Sequence, residues 1–447
     1  MELITPIVGF VNKLLWDYAL LFLLCGTGVY FTIRLRFIQV RKFKEGCKRV
    51  FSCFNMNGKK ADNNGMSSFQ ALTTAIAAQV GTGNIAGAAT AIVAGGPGAI
   101  FWMWVSAFFG MATIYAEAVL AQKYKQVGAD GVVTGGPVYY IKAAFKGKFG
   151  TFLATFFSIA IILALGFMGN MVQSNSIGDS FFNAFGINPL IMGVLCAVAA
   201  AIIFAGGNSS IAWITEKIVP LMACLYIVGS LIVLGMNLSG VADAFVEIFT
   251  MAFNPQAVAG GAIGLTVQKA MRYGVARGLF SNEAGMGSTP HAHAVAKVDH
   301  PTEQGVIAMI GVFIDTFIIL TLTALVILST GAWKSDLTGA ALAQSAFSSA
   351  FGSFGSAFIA ICMLFFAFST IIGWYFFGKA NVTSLFGVKY VKIYTVIVCL
   401  FIVLGSCLKV DLVWALSDMF NGLMVLPNLI ALLALGKVVS QITKERE

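Results

Sequence analysis

The sequence predicts an all-α integral membrane protein of about eleven transmembrane helices, ten of them forming two inverted five-helix repeats behind one extra N-terminal helix. Three observations carry this. The 447 residues are 58% hydrophobic and only 11% charged, where soluble proteins carry roughly 25% charged residues. Apolar runs long enough to cross a bilayer recur along the whole chain. The basic residues gather in segments between those runs.

The runs are Asp17–Ile33, Met66–Ala94, Gly98–Ala121, Thr151–Phe182, Asn188–Ala205, Ile211–Met236, an interrupted Ala259–Val295, Glu303–Thr330, Gly355–Gly378, Val391–Cys407 and Leu412–Leu435. Backbone polar groups in lipid need partners within the segment, so each run reads as helix. The 39 Phe and 48 Gly suit lipid-facing rings and close helix packing. The first run follows Asp17 and leads into basic residues, so it reads as a retained span and not a cleaved leader.

Charge sets orientation. The net charge of +9 does not indicate a nucleic-acid partner, because nine basic residues lie in one segment from Arg34 to Lys60. That is the signal of a cytoplasmic loop. Stretch 237–257 carries Asp243 and Glu247 without Lys or Arg and reads as outside. The expectation is a multi-pass plasma-membrane protein with its N-terminus outside and C-terminus cytoplasmic. The eight Cys are scattered without a CxxC pair and read as small buried hydrophobes.

With the first span and basic loop (1–65) set aside, ten runs remain, a first half at 66–240 and a second at 258–436. The first run of each half is interrupted, at Gln79-Val80-Gly81-Thr82-Gly83-Asn84 and at Ser281-Asn282-Glu283-Ala284-Gly285-Met286-Gly287-Ser288. Gly-broken spans at matching places in two halves point to a transporter binding site at their junction. Five spans per half makes the halves inverted.

Each motif has a rival reading. Gly81 and Gly83 each lower helix preference by about 1 kcal/mol. Freed amides there can face a carboxylate, and freed carbonyls a cation. Glycines for helix packing are the alternative, but packing motifs space them by four. Glu283 is either a functional intramembrane acid or a structural tie for loose amides. Asn170 and Ser174 share a helix face, with Gln173 one turn away, and either line a cavity or glue helices. Ser369 and Thr370 either bond back to their own helix or complete an oxygen cage for a hard cation. Trp374 follows one turn later and can cap a small site.

Enzyme readings find little. His291-Ala292-His293 is not a zinc-protease motif, GxSxG is missing, and the His positions suggest surface or helix-end roles. Asp179, Asp315 and Asp418 are isolated acids that read as structural or ion-path groups.

The stretch Gly81-Thr82-Gly83-Asn84-Ile85-Ala86-Gly87, continuing through Gly95-Gly96-Pro97-Gly98 to Trp104, resembles the signature of the alanine/glycine:cation symporter family. So does Arg277-Gly278-Leu279-Phe280-Ser281-Asn282-Glu283-Ala284-Gly285-Met286-Gly287-Ser288. The similarity runs over essentially the whole chain. It implies the fold of the leucine transporter and sodium-coupled import of alanine or glycine. It implies a sodium ion held by carbonyls of Ala77, Val80 and Phe366 with the hydroxyls of Ser369 and Thr370. The substrate would meet Gln79, Gly81, Thr82, Gly83, Asn84, Asn170, Ser174, Phe280, Ser281, Asn282 and Trp374, with Glu283 gating or structural. A proton-coupled permease acting through Glu283 is the runner-up, and a membrane-embedded enzyme lies further off.

Overall fold

The computed structural model describes residues 4–54, 65–127, 133–253, 267–408 and 410–446. In chain order the main helices are α1 Thr5–Arg34, the bent pair α2 Ser68–Gln79 and α3 Gly83–Gly95, α4 Gly98–Lys123, α5 Gly147–Phe185, α6 Pro189–Ala205 and α7 Gly207–Met236. They continue as α8 Leu238–Phe253, α9 Val267–Asn282, α10 Pro290–Ala294, α11 Pro301–Ser329, α12 Gly339–Phe351, α13 Ser353–Phe386, α14 Val388–Cys407, α15 Val413–Ala434 and α16 Gly436–Lys444. Gln126–Val127 and Val133–Thr134 pair as two short antiparallel strands.

Eight of these helices are long and apolar enough to cross a membrane, and α2 with α3 makes nine. The apolar α6 has 17 residues, and α9 and α10 flank the second break. Every apolar run in the sequence therefore has a helical counterpart, except that 259–266 lies outside the described residues. The protein is a multi-pass all-α membrane protein. One expectation changes: the basic stretch after α1 is not a loop throughout, since Ile38–Arg41 and Phe43–Phe54 are helical. Lys59 and Lys60 lie outside the described residues.

Local chemistry sets the ends. Ser67 Oγ accepts from the Gln70 amide at 3.1 Å while Gln70 Oε1 accepts from the Ser67 amide at 3.3 Å, a reciprocal cap that starts α2. Pro189, Pro290 and Pro301 open their helices, where a missing N–H costs nothing. Packing joins α4 to α9 and α11, α5 to α13 and α14, α7 to α2 and α13, and α1 to α4 and α15. Among the described residues, four segments are wound as wider π turns: Lys13–Ala19, Gly83–Gly87, Ile162–Gly169 and Phe313–Leu320. Such turns re-aim side chains and collect at functional sites.

Candidate functional site

The two breaks meet in the buried centre. α2 ends at Gln79, Val80 turns extended (φ −81°, ψ 91°), and α3 starts at Gly83 after a bend of 44°. Space excludes a side chain at Gly81 and leaves little room at Gly83. A Cβ on Gly81 would collide with Thr370 and press on Gln173, and one on Gly83 would lie 3.0 Å from the Ser281 Cα. In the second break Glu283 has φ +58°, with Gly285 at +93° and Gly287 at +80°. A left-handed glutamate is strained and persists only where its surroundings hold it.

Three buried acids organise these breaks. Asp315, in a π turn of α11, accepts from Asn84 Nδ2 at 2.7 Å, from Ser281 Oγ at 3.0 Å and from Thr316 Oγ1 at 2.8 Å. One carboxylate thus ties the first break to the second. Glu117 of α4 accepts the freed amides of Gly285 and Gly287, each at 2.9 Å, and Asn428 Nδ2 at 2.7 Å. Glu283 instead accepts from Ser288 Oγ and from the Trp374 indole N–H. The reading of Glu283 as the tie for loose amides is therefore corrected: Glu117 does this from another helix, because the +58° turn aims Glu283 at α13.

The five residues expected to hold a cation come together. Thr370 Oγ1 donates to the Ala77 carbonyl at 2.9 Å and the Phe366 carbonyl at 3.0 Å, and sits 3.5 Å from the Val80 carbonyl. Ser369 Oγ lies 2.9 Å from the Phe366 carbonyl and 3.4 Å from the Ala77 carbonyl. Both sequence alternatives coexist: the hydroxyls bond back to Phe366 in their own helix and also face the end of α2. Five oxygens without a full negative charge, converging from two helices, suit a hard monovalent cation.

Polar atoms on α2, at the first break and on the facing stretch of α5 are left unused. Among the described residues, Gln79 Oε1, Thr82 Oγ1, Asn170 Oδ1 and Gln173 Nε2 are buried without a hydrogen-bond partner. Buried polar groups are rarely left so, and a bound polar solute is the natural partner. Gln79 Nε2 donates to the Asn282 carbonyl at 2.7 Å, and Asn282 Nδ2 to Thr316 Oγ1 at 3.1 Å. The Thr82 amide donates to Gln173 Oε1 at 3.1 Å. Phe280 meets Trp374 edge-on at 5.5 Å and Trp414 at 4.7 Å.

Some expectations change here. Ser174 donates to the Ile402 carbonyl in α14, so it glues helices, and Gln173 takes the face toward the break. Asn84 and Ser281 are occupied with Asp315. His291 and His293 are buried, not at the surface. The Asn381 amide donates to both the Phe377 carbonyl and His291 Nε2, so His291 is neutral with its proton on Nδ1, toward the Ser288 carbonyl at 2.7 Å. Glu117 was missed by the sequence reading, while Asp315 and Gln173 were named there without being placed at the breaks. Glu117 and Asp315 carry a readable signal, a lone acid within an apolar run.

One end of the bundle opens into a cavity of about 470 Å³ between α1, α3, α5, α9, α12 and α15. Arg277 holds Asp418 with two bonds of 2.7 and 2.9 Å at its wall and stacks over Trp414 at 4.5 Å. At the other end Gln122 caps the carbonyls of His293, Ala294 and Ala296. A central site with two facing helix breaks and a vestibule at one end defines a secondary transporter.

The model of the sodium:alanine symporter family matches residues 1–447, and the chain belongs to that family. It is 44% identical to the sodium/alanine symporter AgcS of Methanococcus maripaludis, covering 98% of this chain and 96% of that one. It is 43% identical to the probable sodium/glutamine symporter GlnT of Bacillus subtilis, covering 99% and 91%. Among solved structures it resembles MhsT in complex with L-phenylalanine, with TM-score 0.59 and 15% identity over 86% of this chain and 99% of that one. That likeness concerns the fold. The protein is a sodium-coupled symporter of small neutral amino acids.

Proposed function

We propose that one sodium ion binds the oxygens of Ala77, Val80, Phe366, Ser369 and Thr370, while alanine or glycine binds beside it between the breaks. The amino acid's polar ends meet Thr82, Asn170, Gln173 and the backbone of Gly81 and Gly83. Phe280 and Trp374 close around its side chain. The observation that carries this reading is the five-oxygen cluster together with buried polar atoms that have no protein partner.

Residues 66–240 and 258–436 act as inverted repeats, and the vestibule faces outside, with the C-terminus in the cytoplasm. Sodium can drive the cycle. About 100 mV supplies roughly 2.3 kcal/mol per charge, and a tenfold sodium gradient adds about 1.4 kcal/mol. Together these support several-hundred-fold accumulation. Uptake of labelled alanine into proteoliposomes should require an inward sodium gradient and rise with an inside-negative potential. Uptake unaffected by removing sodium would end this reading.

A further inference from the structure

We infer that the extra N-terminal helix α1 is a strap that positions the vestibule gate, with Trp16 and Asp17 as its positioning residues; this rests on the transport reading above. The gate in this inference is the Arg277–Asp418 ion pair at the vestibule wall, whose members come from different helices, α9 and α15. α1 grips both. Asp17 pairs with Arg272 of α9 at 2.6 Å, five positions before Arg277. Trp16 donates its indole N–H to the backbone carbonyl of Asp418 itself at 3.2 Å, and Asn12 Nδ2 donates to the Ala415 carbonyl at 2.8 Å.

The local geometry serves this grip. Trp16 and Asp17 are adjacent in sequence, and a regular helix points neighbours about 100° apart. They sit in the π turn Lys13–Ala19, which widens the helix where both must be used. The lipid-facing side of the same stretch is apolar: Phe10, Leu14 and Phe22 are exposed, whereas Trp16 is 5% exposed. A helix kept only as an anchor has no need of three polar groups turned inward, since each is expensive within a bilayer.

The other end of α1 is fixed. Gly28 lies against Phe109 of α4 with no room for a Cβ, and Arg34 Nε donates to the Gly436 carbonyl at 3.0 Å. α1 is therefore a frame tied to the bundle at one end and to both gate helices at the other. Below the gate, Trp414 stacks under Arg277 and touches Phe280, so the position of Asp418 is passed to the aromatic lid of the substrate site. The strap favours the closed gate and slows escape of bound amino acid into the vestibule.

Two measurements on the full-length purified protein test this. Hydrogen exchange needs no substrate: Asp17→Asn and Trp16→Phe should speed exchange in α9 and α15 relative to wild type, with α5 and α13 unchanged. Release of labelled alanine from sodium-loaded protein should quicken roughly three- to fivefold in each variant, the size expected for losing one partly exposed ion pair or hydrogen bond. Asp17→Glu, which keeps the charge, should release like wild type. Unchanged exchange in α9 and α15, or release as fast in Asp17→Glu as in Asp17→Asn, would overturn the strap. A wild type that binds no alanine would defeat the transport reading, while hydrogen exchange would still decide the strap.

Discussion

Asn84 donates to the Asp315 carboxylate at 2.7 Å and to its backbone carbonyl at 3.1 Å, joining the helix after the first break to α11, beyond the second. The same carboxylate takes Ser281 at 3.0 Å. Both breaks are therefore registered against one buried carboxyl group, and a change in it is felt on each side of the site.

Asp315→Asn should abolish most transport while leaving a folded protein. An amide oxygen replaces one carboxylate oxygen, but the new NH₂ faces the donors Asn84, Ser281 or Thr316. Donors set against donors cost about 1–3 kcal/mol, so initial alanine uptake should fall at least about tenfold. Uptake near the wild-type rate would show that the charge is dispensable.

The Ser369→Ala/Thr370→Ala double variant should raise the sodium concentration for half-maximal uptake far more than it lowers thermal stability. Each lost oxygen ligand is worth on the order of a tenfold change in affinity. A sodium titration of uptake reads the effect directly. Unaltered sodium activation would move the ion elsewhere.

Glu117→Gln should act on stability first. Its carboxylate holds two amides and the Asn428 side chain, and hydrogen bonds to charged groups contribute about 1.5–3 kcal/mol each. The thermal midpoint in detergent should drop clearly, with the alanine affinity of the remaining folded protein little changed. A midpoint equal to wild type would refute Glu117 as the holder of the second break.

Glu283→Gln should slow transport and keep sodium as the driving ion. The Gln amide keeps one oxygen to accept from Trp374 or Ser288, and its NH₂ cannot accept from the other, which loosens the bonds that keep the +58° turn in place. A pH gradient alone, in sodium-free vesicles, should drive no alanine uptake in wild type. Accumulation there that disappears in Glu283→Gln would establish proton coupling instead.

The substrate site should exclude large side chains. Phe280 and Trp374 meet at 5.5 Å, and the Trp374 ring fills the space left by the absent Cβ of Gly169. Leucine should compete with labelled alanine only at far higher concentration than glycine does. Equal competition by leucine, or by glutamine, would show a roomier pocket than these rings leave.

Much of this was legible in the linear chain, and for identifiable reasons. Span positions follow from hydropathy because a bilayer demands long apolar helices with internally satisfied backbones. The two breaks were visible because paired glycines and polar residues cannot continue such a helix without an outside partner. The meeting of Ala77 and Val80 with Ser369 and Thr370 came from family resemblance, and the hydrogen bonds of Thr370 agree with it.

What the sequence by itself determined was therefore composition-driven: an all-α membrane protein, its spans, and the two places where they break. What only the tertiary structure decided was which groups partner across helices. Glu117 and Asp315 lie 198 positions apart, in runs that look alike, and nothing local says that one holds the amides of Gly285 and Gly287 while the other bridges Asn84 to Ser281. Gln173 and Ser174 are neighbours, yet one faces the break and the other α14. The rotation of a helix about its axis is set by packing against its neighbours, and the π turn Ile162–Gly169 just before Asn170 shifts that rotation in a way hydropathy does not record.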